Sequence, residues 1–419
     1  MRTPLKSIRD VAEYQLCTGC GVCASLSPET IQMTDVLQLG VRPIQKGDGT
    51  DPNDRKALAA CPGLELRHQF PEENTDYVHS LRSAWGPVLE VWEGYAGDPA
   101  IRYAGSSGGA ATALALFSLE KLGLQAVLHT AARRNAPYLN ETVLSHNRED
   151  LLARTGSRYA PSSPGDGLRH IEQASQPCAF IGKPCDVAGV QNARALSTQL
   201  DSKLGVTIAF FCAGTPSTQG TIELLKKVGI DDPSTVTSLR YRGNGWPGRW
   251  VVKWTARDGE SREASLSYAE SWDFLQKYRQ WRCYICPDHT GEFADIAVGD
   301  PWHEAPKEGE AGRSLIIART KRGLDVIRRA RDAGYIVKLR EGPGLLPASQ
   351  PNLLATRGRL WGQLLTLRVC GVAAPRFVGF PTFTHWLKHL SIKDRLLSLL
   401  GTYKRIRNKK LRERRRLAF

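Results

Sequence analysis

Apolar residues in this chain come in short runs separated by Gly and Pro. Val91-Trp92-Glu93-Gly94-Tyr95-Ala96 predicts one strand, and Gly205 to Cys212 predicts a longer one closed by Ala213-Gly214. Phe180-Ile181-Gly182 and Ala294-Asp295-Ile296-Ala297-Val298-Gly299 complete the set. Runs of this kind mark strands buried on both faces of an α/β sheet. Ala110-Ala111-Thr112-Ala113-Leu114-Ala115-Leu116-Phe117 is apolar nearly all round and predicts a buried helix, with Gly123 placed to stop it. Ser106 or Ser107 is expected to cap that helix, and Gly108 and Gly109 to let a ligand approach the backbone. A helix start with free amides suits a phosphate. Pro161-Ser162-Ser163-Pro164-Gly165 is expected to be a surface loop inside the core. Near the end, Ile392, Leu396, Leu399, Leu400 and Tyr403 fall at helical spacing on one face.

At 419 residues, with 24% charged and 41% hydrophobic positions, the chain is long enough for two or three domains and is neither disordered nor fibrous. It holds no apolar run of the length that crosses a membrane, and Met1 to Lys6 begins a polar stretch without a secretory signal. A cytoplasmic protein is expected. The net charge of +15 is unevenly spread: Lys404 to Arg416 carries nine Lys or Arg and one acid, a net +8, which leaves +7 elsewhere. A helix running into such a tail could meet an anionic membrane or a partner protein, or the tail could be a solvated, frayed end. Nucleic acid is not indicated, because the body of the chain is only mildly basic.

Ten cysteines in a reducing compartment are better read as metal ligands than as disulfides. Cys17, Cys20 and Cys23 form C-x2-C-x2-C, and Cys61 precedes Pro62. Three thiolates at that spacing can wrap three corners of a cubane while a remote Cys-Pro closes the fourth, as in half of a bacterial-type ferredoxin. Ser27-Pro28 stands where the ferredoxin run has its fourth cysteine, so a single 4Fe–4S centre is expected here. Zinc takes four thiolates too, but usually from two separated C-x2-C pairs. Cys185, Cys212 and the pair Cys283/Cys286 follow predicted strands or lie before one, at the sheet edge where cofactors gather. They could close a second centre or be ordinary buried thiols, whereas Cys178 and Cys370 read as packing residues.

Taken in order, these segments resemble the family of coenzyme F-420 hydrogenase/dehydrogenase beta subunits. The resemblance runs through Cys17–Cys61, Tyr95-Ala96-Gly97-Asp98-Pro99, Ser106-Ser107-Gly108-Gly109 and Gly156-Ser157-Arg158-Tyr159-Ala160. It continues through Gly182-Lys183-Pro184-Cys185, Phe211-Cys212-Ala213-Gly214, Cys283-x2-Cys286 and Gly299-Asp300-Pro301-Trp302. The family also contains 7-hydroxymethyl chlorophyll a reductase and divinyl chlorophyllide reductases. The ferredoxin-type triplet departs from the chlorophyll-reductase cysteine arrangement and argues against a chlorophyll substrate. The resemblance implies an iron–sulfur flavoprotein: FAD in an α/β core, with Ser106, Ser107, Gly108, Gly109, Ser157, Tyr159, Lys183 and Asp300 around its pocket. It also implies a cluster on Cys185, Cys212, Cys283 and Cys286 beside the flavin.

The expected architecture is a ferredoxin-like segment over residues 1–85, an α/β flavin and second-cluster core over 86–345, and a C-terminal segment with a basic helical tail over 346–419. The expected function is an oxidoreductase taking electrons from reduced ferredoxin or a partner, through two 4Fe–4S clusters to FAD and an organic substrate. An electron-transfer subunit of a larger complex, an F-420-linked dehydrogenase subunit, and a zinc-stabilised binding protein are the alternatives. His289, close after Cys286, is a candidate proton donor.

Overall fold

The computed structural model describes residues 5–47, 49–68 and 76–417. Among them, eight strands form one mixed sheet: β1 (Glu90–Ala96), β2 (Val127–Arg133), β3 (Ala136–Ser145), β4 (Cys178–Gly182), β5 (Leu204–Phe210), β6 (Ile296–Gly299), β7 (Ser314–Ala318) and β8 (Ile336–Glu341). Their spatial order is β8-β1-β7-β6-β5-β4-β2-β3. The four central strands β6, β5, β4 and β2 run parallel. Antiparallel pairings flank them, β3 on β2 and β7, β1 and β8 beyond β6. All four strands expected from the apolar runs lie in this sheet, and the parallel strands end together at one edge.

Alternation along the strands fills two cores. Leu315 and Ile317 face one side with Leu128, Phe180 and Val187, while Ile316 faces the other with Val206, Ile208 and Leu114. The second side is covered by helix Ala110–Glu120, whose Leu114, Leu116 and Phe117 are fully buried. Each such side chain contributes roughly 1.5–3 kcal/mol relative to exposure. Between β5 and β6 the chain adds a three-stranded antiparallel sheet (Val236–Arg240, Arg249–Thr255, Ser261–Ser267) with its own core around Trp250, Val252, Leu224 and Leu275. This separate layer is not foreseen in the sequence. Its strands alternate with exposed polar residues and lack apolar runs.

Before the sheet, helix Ile8–Glu13 leads into the first cysteine loop, followed by a hairpin (Ile31–Val36 with Gly40–Gln45) and helix Pro52–Ala59. Strand Glu65–Arg67 then pairs in parallel with Arg376–Val378, more than three hundred residues later. One expectation needs correction here, and one of the two readings of the tail falls. The Pro161–Gly165 segment is no surface loop: Pro161, Ser163, Pro164 and Gly165 are buried, and the Gly165 amide donates to the Cys20 carbonyl at 2.8 Å. Its prolines give up backbone donors, so burial leaves few groups unsatisfied. The basic tail is not frayed either. Helix Ile392–Asn408 packs Ile406 beside Leu360 and Leu367, Leu411 is buried, and Arg414 reaches Glu13 and, at 3.0 Å, Asp10.

Candidate functional site

Cys17 and Cys20 come from the loop after helix Ile8–Glu13, Cys23 from the short helix Val22–Leu26 that follows, and Cys61 from just past helix Pro52–Ala59. The loop is held by left-handed Gly21 (φ 88°), where an added Cβ would lie 2.5 Å from the Ser163 carbonyl oxygen. The four thiols line one small enclosed cavity with Ile8, Val11, Val22, Met33 and Pro43. Burial, then Cys20 and Cys17, push the Cys23 thiol far up; burial and Cys17 push Cys61 up to about 12. Crowded, desolvated thiols such as Cys23 and Cys61 release their protons only to a strong positive centre. The Gly19 amide donates to Cys17 Sγ at 3.3 Å, the type of bond that supports a cluster thiolate.

The second set is assembled from separate segments at the carboxyl edge of the sheet. Cys185 sits in the first turn of helix Pro184–Arg194 after β4, Cys212 follows β5, and Cys283 and Cys286 flank the end of helix Trp281–Tyr284. Burial raises the Cys185, Cys212 and Cys286 thiols. Asp186 and then Cys212 and Cys286 add to it at Cys185, and Cys212 reaches about 12 with Cys283 as its next cause. The Thr215 amide donates to Cys283 Sγ at 3.4 Å. Among the described residues, no three His, Cys, Asp or Glu side chains converge on a point that would hold a single ion. A lone tetrahedral zinc needs sulfurs about 3.8 Å apart; a cubane takes thiolates set more widely. In the first set four thiols ring an enclosed space, and in both sets the donors are all sulfur with backbone amides behind them. The chemistry of both donor sets is compatible with an iron–sulfur cluster.

Two buried guanidinium groups stand between the sets. Arg42 donates to Gln280 Oε1 at 3.0 Å and to the Val41 carbonyl, and burial depresses it while Cys17 and Cys283 hold it up. Arg282 donates to the carbonyls of Ile285 and Pro62, and its charge lowers both Cys61 and Cys286 against the larger effect of burial. Each arginine thus acts on one cysteine of either set. The sequence marks neither beyond an arginine in a buried strand and another beside Cys283.

A cavity of about 310 Å³ opens at the same edge. Ser106, Ser107, Gly109, Ser157, Tyr159, Lys183, Cys212 and Asp300 all line it, so the structure brings together every expected pocket residue except Gly108. The detailed roles differ from expectation. Neither serine caps the helix: Ser106 Oγ accepts from the Ser157 amide at 2.7 Å, and Ser107 Oγ donates to the carbonyls of Gly299 and Arg313. The N-cap is Gly109 in the left-handed conformation, so the first amides of helix Ala110–Glu120 carry no side-chain cap where Ala110, Ala111 and Thr112 meet the cavity. Gly108 and Gly109 also permit close packing. An added Cβ would strike the Arg313 backbone at 2.8 Å or the Ile101 carbonyl oxygen at 2.5 Å.

Lys183 Nζ donates to Asp186 at 2.7 Å and to Ser162 at 3.0 Å; Asp186 holds it charged against burial. Asp300 is engaged on both oxygens by Arg242 (2.8 and 3.0 Å) and by Trp246 Nε1, and Arg242 also donates to the Tyr159 hydroxyl at 3.4 Å. Tyr268 stacks on Trp302 under Arg242 and, with Trp272, makes the far wall aromatic. Nothing in the sequence foretells this wall except the glycines at 243, 245 and 248 beside Trp246. His289 lines the cavity, with Nδ1 donating to the Cys212 carbonyl at 2.7 Å, which leaves Nε2 as an acceptor without a partner. Burial keeps the ring neutral. In this tautomer the ring presents an acceptor to the cavity rather than the expected donor.

The structure is thus an α/β protein whose mixed sheet carries, at its carboxyl edge, a cavity lined by Cys212 of one cysteine set. The chain belongs to the family of coenzyme F-420 hydrogenase/dehydrogenase beta subunits: the model of its N-terminal part matches residues 91–168 and that of its C-terminal part residues 176–340. It is 27% identical over 250 residues to the F-420-dependent formate dehydrogenase 1 subunit beta of Methanococcus maripaludis, covering 59% of this chain and 60% of that one. It is 22% identical over 321 residues to a subunit of the F(420)H(2) dehydrogenase of Methanosarcina mazei, covering 73% and 82%. In fold it matches a chain of the F-420-reducing nickel–iron hydrogenase complex of Methanosarcina barkeri, with TM-score 0.52, 20% identity, and 67% and 94% coverage. The second cysteine set lies inside the family-matched residues, and the first lies outside them.

Proposed function

We propose that this chain is an iron–sulfur flavoprotein oxidoreductase, with 4Fe–4S clusters on Cys17/Cys20/Cys23/Cys61 and on Cys185/Cys212/Cys283/Cys286, and FAD in the cavity. Such groups join one-electron delivery, from reduced ferredoxin or a partner subunit, to two-electron reduction of an organic substrate. The position of Cys212 carries the reading, since this one residue belongs to a cysteine set and lines the cavity. The uncapped amides at Ala110 to Thr112 would receive a pyrophosphate. Lys183 places a positive charge on the wall, already half-balanced by Asp186, so it favours an electron-rich ring without demanding a second anion. His289 Nε2 offers an acceptor to a ring N–H.

A second reading, a beta-type subunit of an F-420-linked complex, draws support from the names of both relatives, which belong to an F-420-dependent formate dehydrogenase and an F(420)H(2) dehydrogenase. Anaerobic purification and reconstitution test both. About eight iron and eight acid-labile sulfide per chain, with one FAD, is the expected content. Cys23→Ser and Cys212→Ser should each remove about half the iron, and only the latter should perturb the flavin spectrum. Colourless protein carrying zinc overturns the proposal. Stopped-flow reduction of the bound flavin by reduced ferredoxin or by reduced F-420 then separates the two readings.

A further inference from the structure

Helix Ile392–Asn408 is amphipathic in the reverse sense. The face it turns to the protein carries Ser398, Thr402 and Ile406, all buried. The opposite face carries Ile392, Leu396 and Leu400, exposed to 73%, 53% and 65%, with Leu397 and Tyr403 exposed beside them. The apolar stripe evident in the sequence thus points away from the core. The reason lies in the partner helix Leu353–Val369, where an added Cβ at Gly362 would fall 2.1 Å from Ser398 Oγ. Close approach there requires small residues, and the large ones are left outside. Helix Thr382–His389 extends the stripe with exposed Phe383 and Leu387, and Trp361 backs Phe383 at 5.0 Å between ring centres. Arg395 ties the two helices by donating to the Trp386 and Leu387 carbonyls. Soluble monomers rarely leave a continuous stripe of this size to water.

Charge indicates what covers it. Residues 382–408 contain six Lys or Arg and a single acid, Asp394, which is held by Arg359 at 2.9 Å and by Ser391. Lys393, Lys404 and Arg407 are exposed and fall within the same helical arc as the leucines. Protein interfaces deplete lysine near their centres, whereas an apolar stripe rimmed by cations of one sign matches an anionic lipid surface. The stripe also lies outside the two family-matched regions, residues 91–168 and 176–340. Among the described residues no helix is long and apolar enough to cross a membrane, which leaves contact from one side.

We propose that this face docks the protein on an anionic membrane, with Phe383, Leu396 and Leu400 at the acyl boundary and Lys393, Lys404 and Arg407 among the phosphates. The test is co-sedimentation of the full-length protein with phosphatidylcholine vesicles, with and without one-third phosphatidylglycerol. Binding is expected only to the anionic vesicles, and should fall as salt rises. Lys404→Gln with Arg407→Gln should weaken it by roughly fivefold per residue, and Leu396→Glu with Leu400→Glu should abolish it. These positions are exposed, so circular dichroism and melting temperature should match wild type. Wild-type protein that stays in solution with anionic vesicles overturns the proposal, as does binding that the leucine variant retains. A dimer that the leucine variant dissociates, without vesicle binding by wild type, would assign the face to a second copy.

Discussion

Buried charge shapes the site at the level of single residues. Arg42 and Arg282 each act on a cysteine of both sets, so each should bias any redox centres there toward the reduced state. Arg42→Gln is expected to lower both midpoint potentials by about 70–120 mV, the order of one unit charge at roughly 6–10 Å in a medium of effective dielectric about 20. A redox titration followed by electron paramagnetic resonance measures it, and a shift in only one centre would confine Arg42 to that set. His129, on the cavity wall, donates or accepts at Ser145 and is depressed to about 4 by burial. Its folded value lies below its unfolded value of about 6.5, so the unfolded chain binds the proton first. The stability associated with neutral His129 is therefore complete above pH ~6.5 and is lost as pH falls toward ~4, by a few kcal/mol in all. His129→Gln should flatten that part of the melting-temperature profile, whatever other groups contribute.

At the level of elements, the C-terminal helix supports the first cysteine loop. Ile406 and Leu411 share a core with Val11, Leu16 and Cys17, and Arg405 and Lys409 lie over the ring of Tyr284, between Cys283 and Cys286. Ile406→Ala or Leu411→Ala should each cost about 2–5 kcal/mol, seen as a lower melting temperature together with iron lost from the Cys17 set. That role was invisible in the sequence, where nine cations in thirteen positions read as a membrane or partner contact or as a solvated end. The contacts that overrule it are long-range, from Arg414 to Glu13 and Asp10. By contrast, β1, β4, β5, β6 and helix Ala110–Glu120 were legible, because burial on both sides keeps their runs largely apolar. The pocket was legible by kind and not by role. Ser106, Ser107, Lys183 and Asp300 line the cavity as expected, yet their hydrogen bonds go to the protein, through partners 50 or more positions away for the serines. No local pattern encodes those partners, nor the burial of the Pro161–Gly165 segment under the cysteine loop.

At the level of the whole molecule, the expected boundaries at 85 and 345 cut through shared cores. Leu346 is fully buried with Trp85, Val88 and Val91, and Glu65–Arg67 pairs with Arg376–Val378. A fragment of residues 86–345 should therefore lose cooperative unfolding and bind a hydrophobic dye, as calorimetry and fluorescence would show; a single sharp transition would establish it as an independent domain. The strap from Arg414 to Glu13 spans 401 positions. At about 5–20 residues per second of synthesis, the helix it closes waits roughly 20–80 s for its latch. Throughout that interval the cysteine loop has neither Ile406 nor Leu411 above it. A cluster of the kind proposed, if inserted during translation, would meet an open cradle, and helix Ile392–Asn408 would shut it behind the cargo.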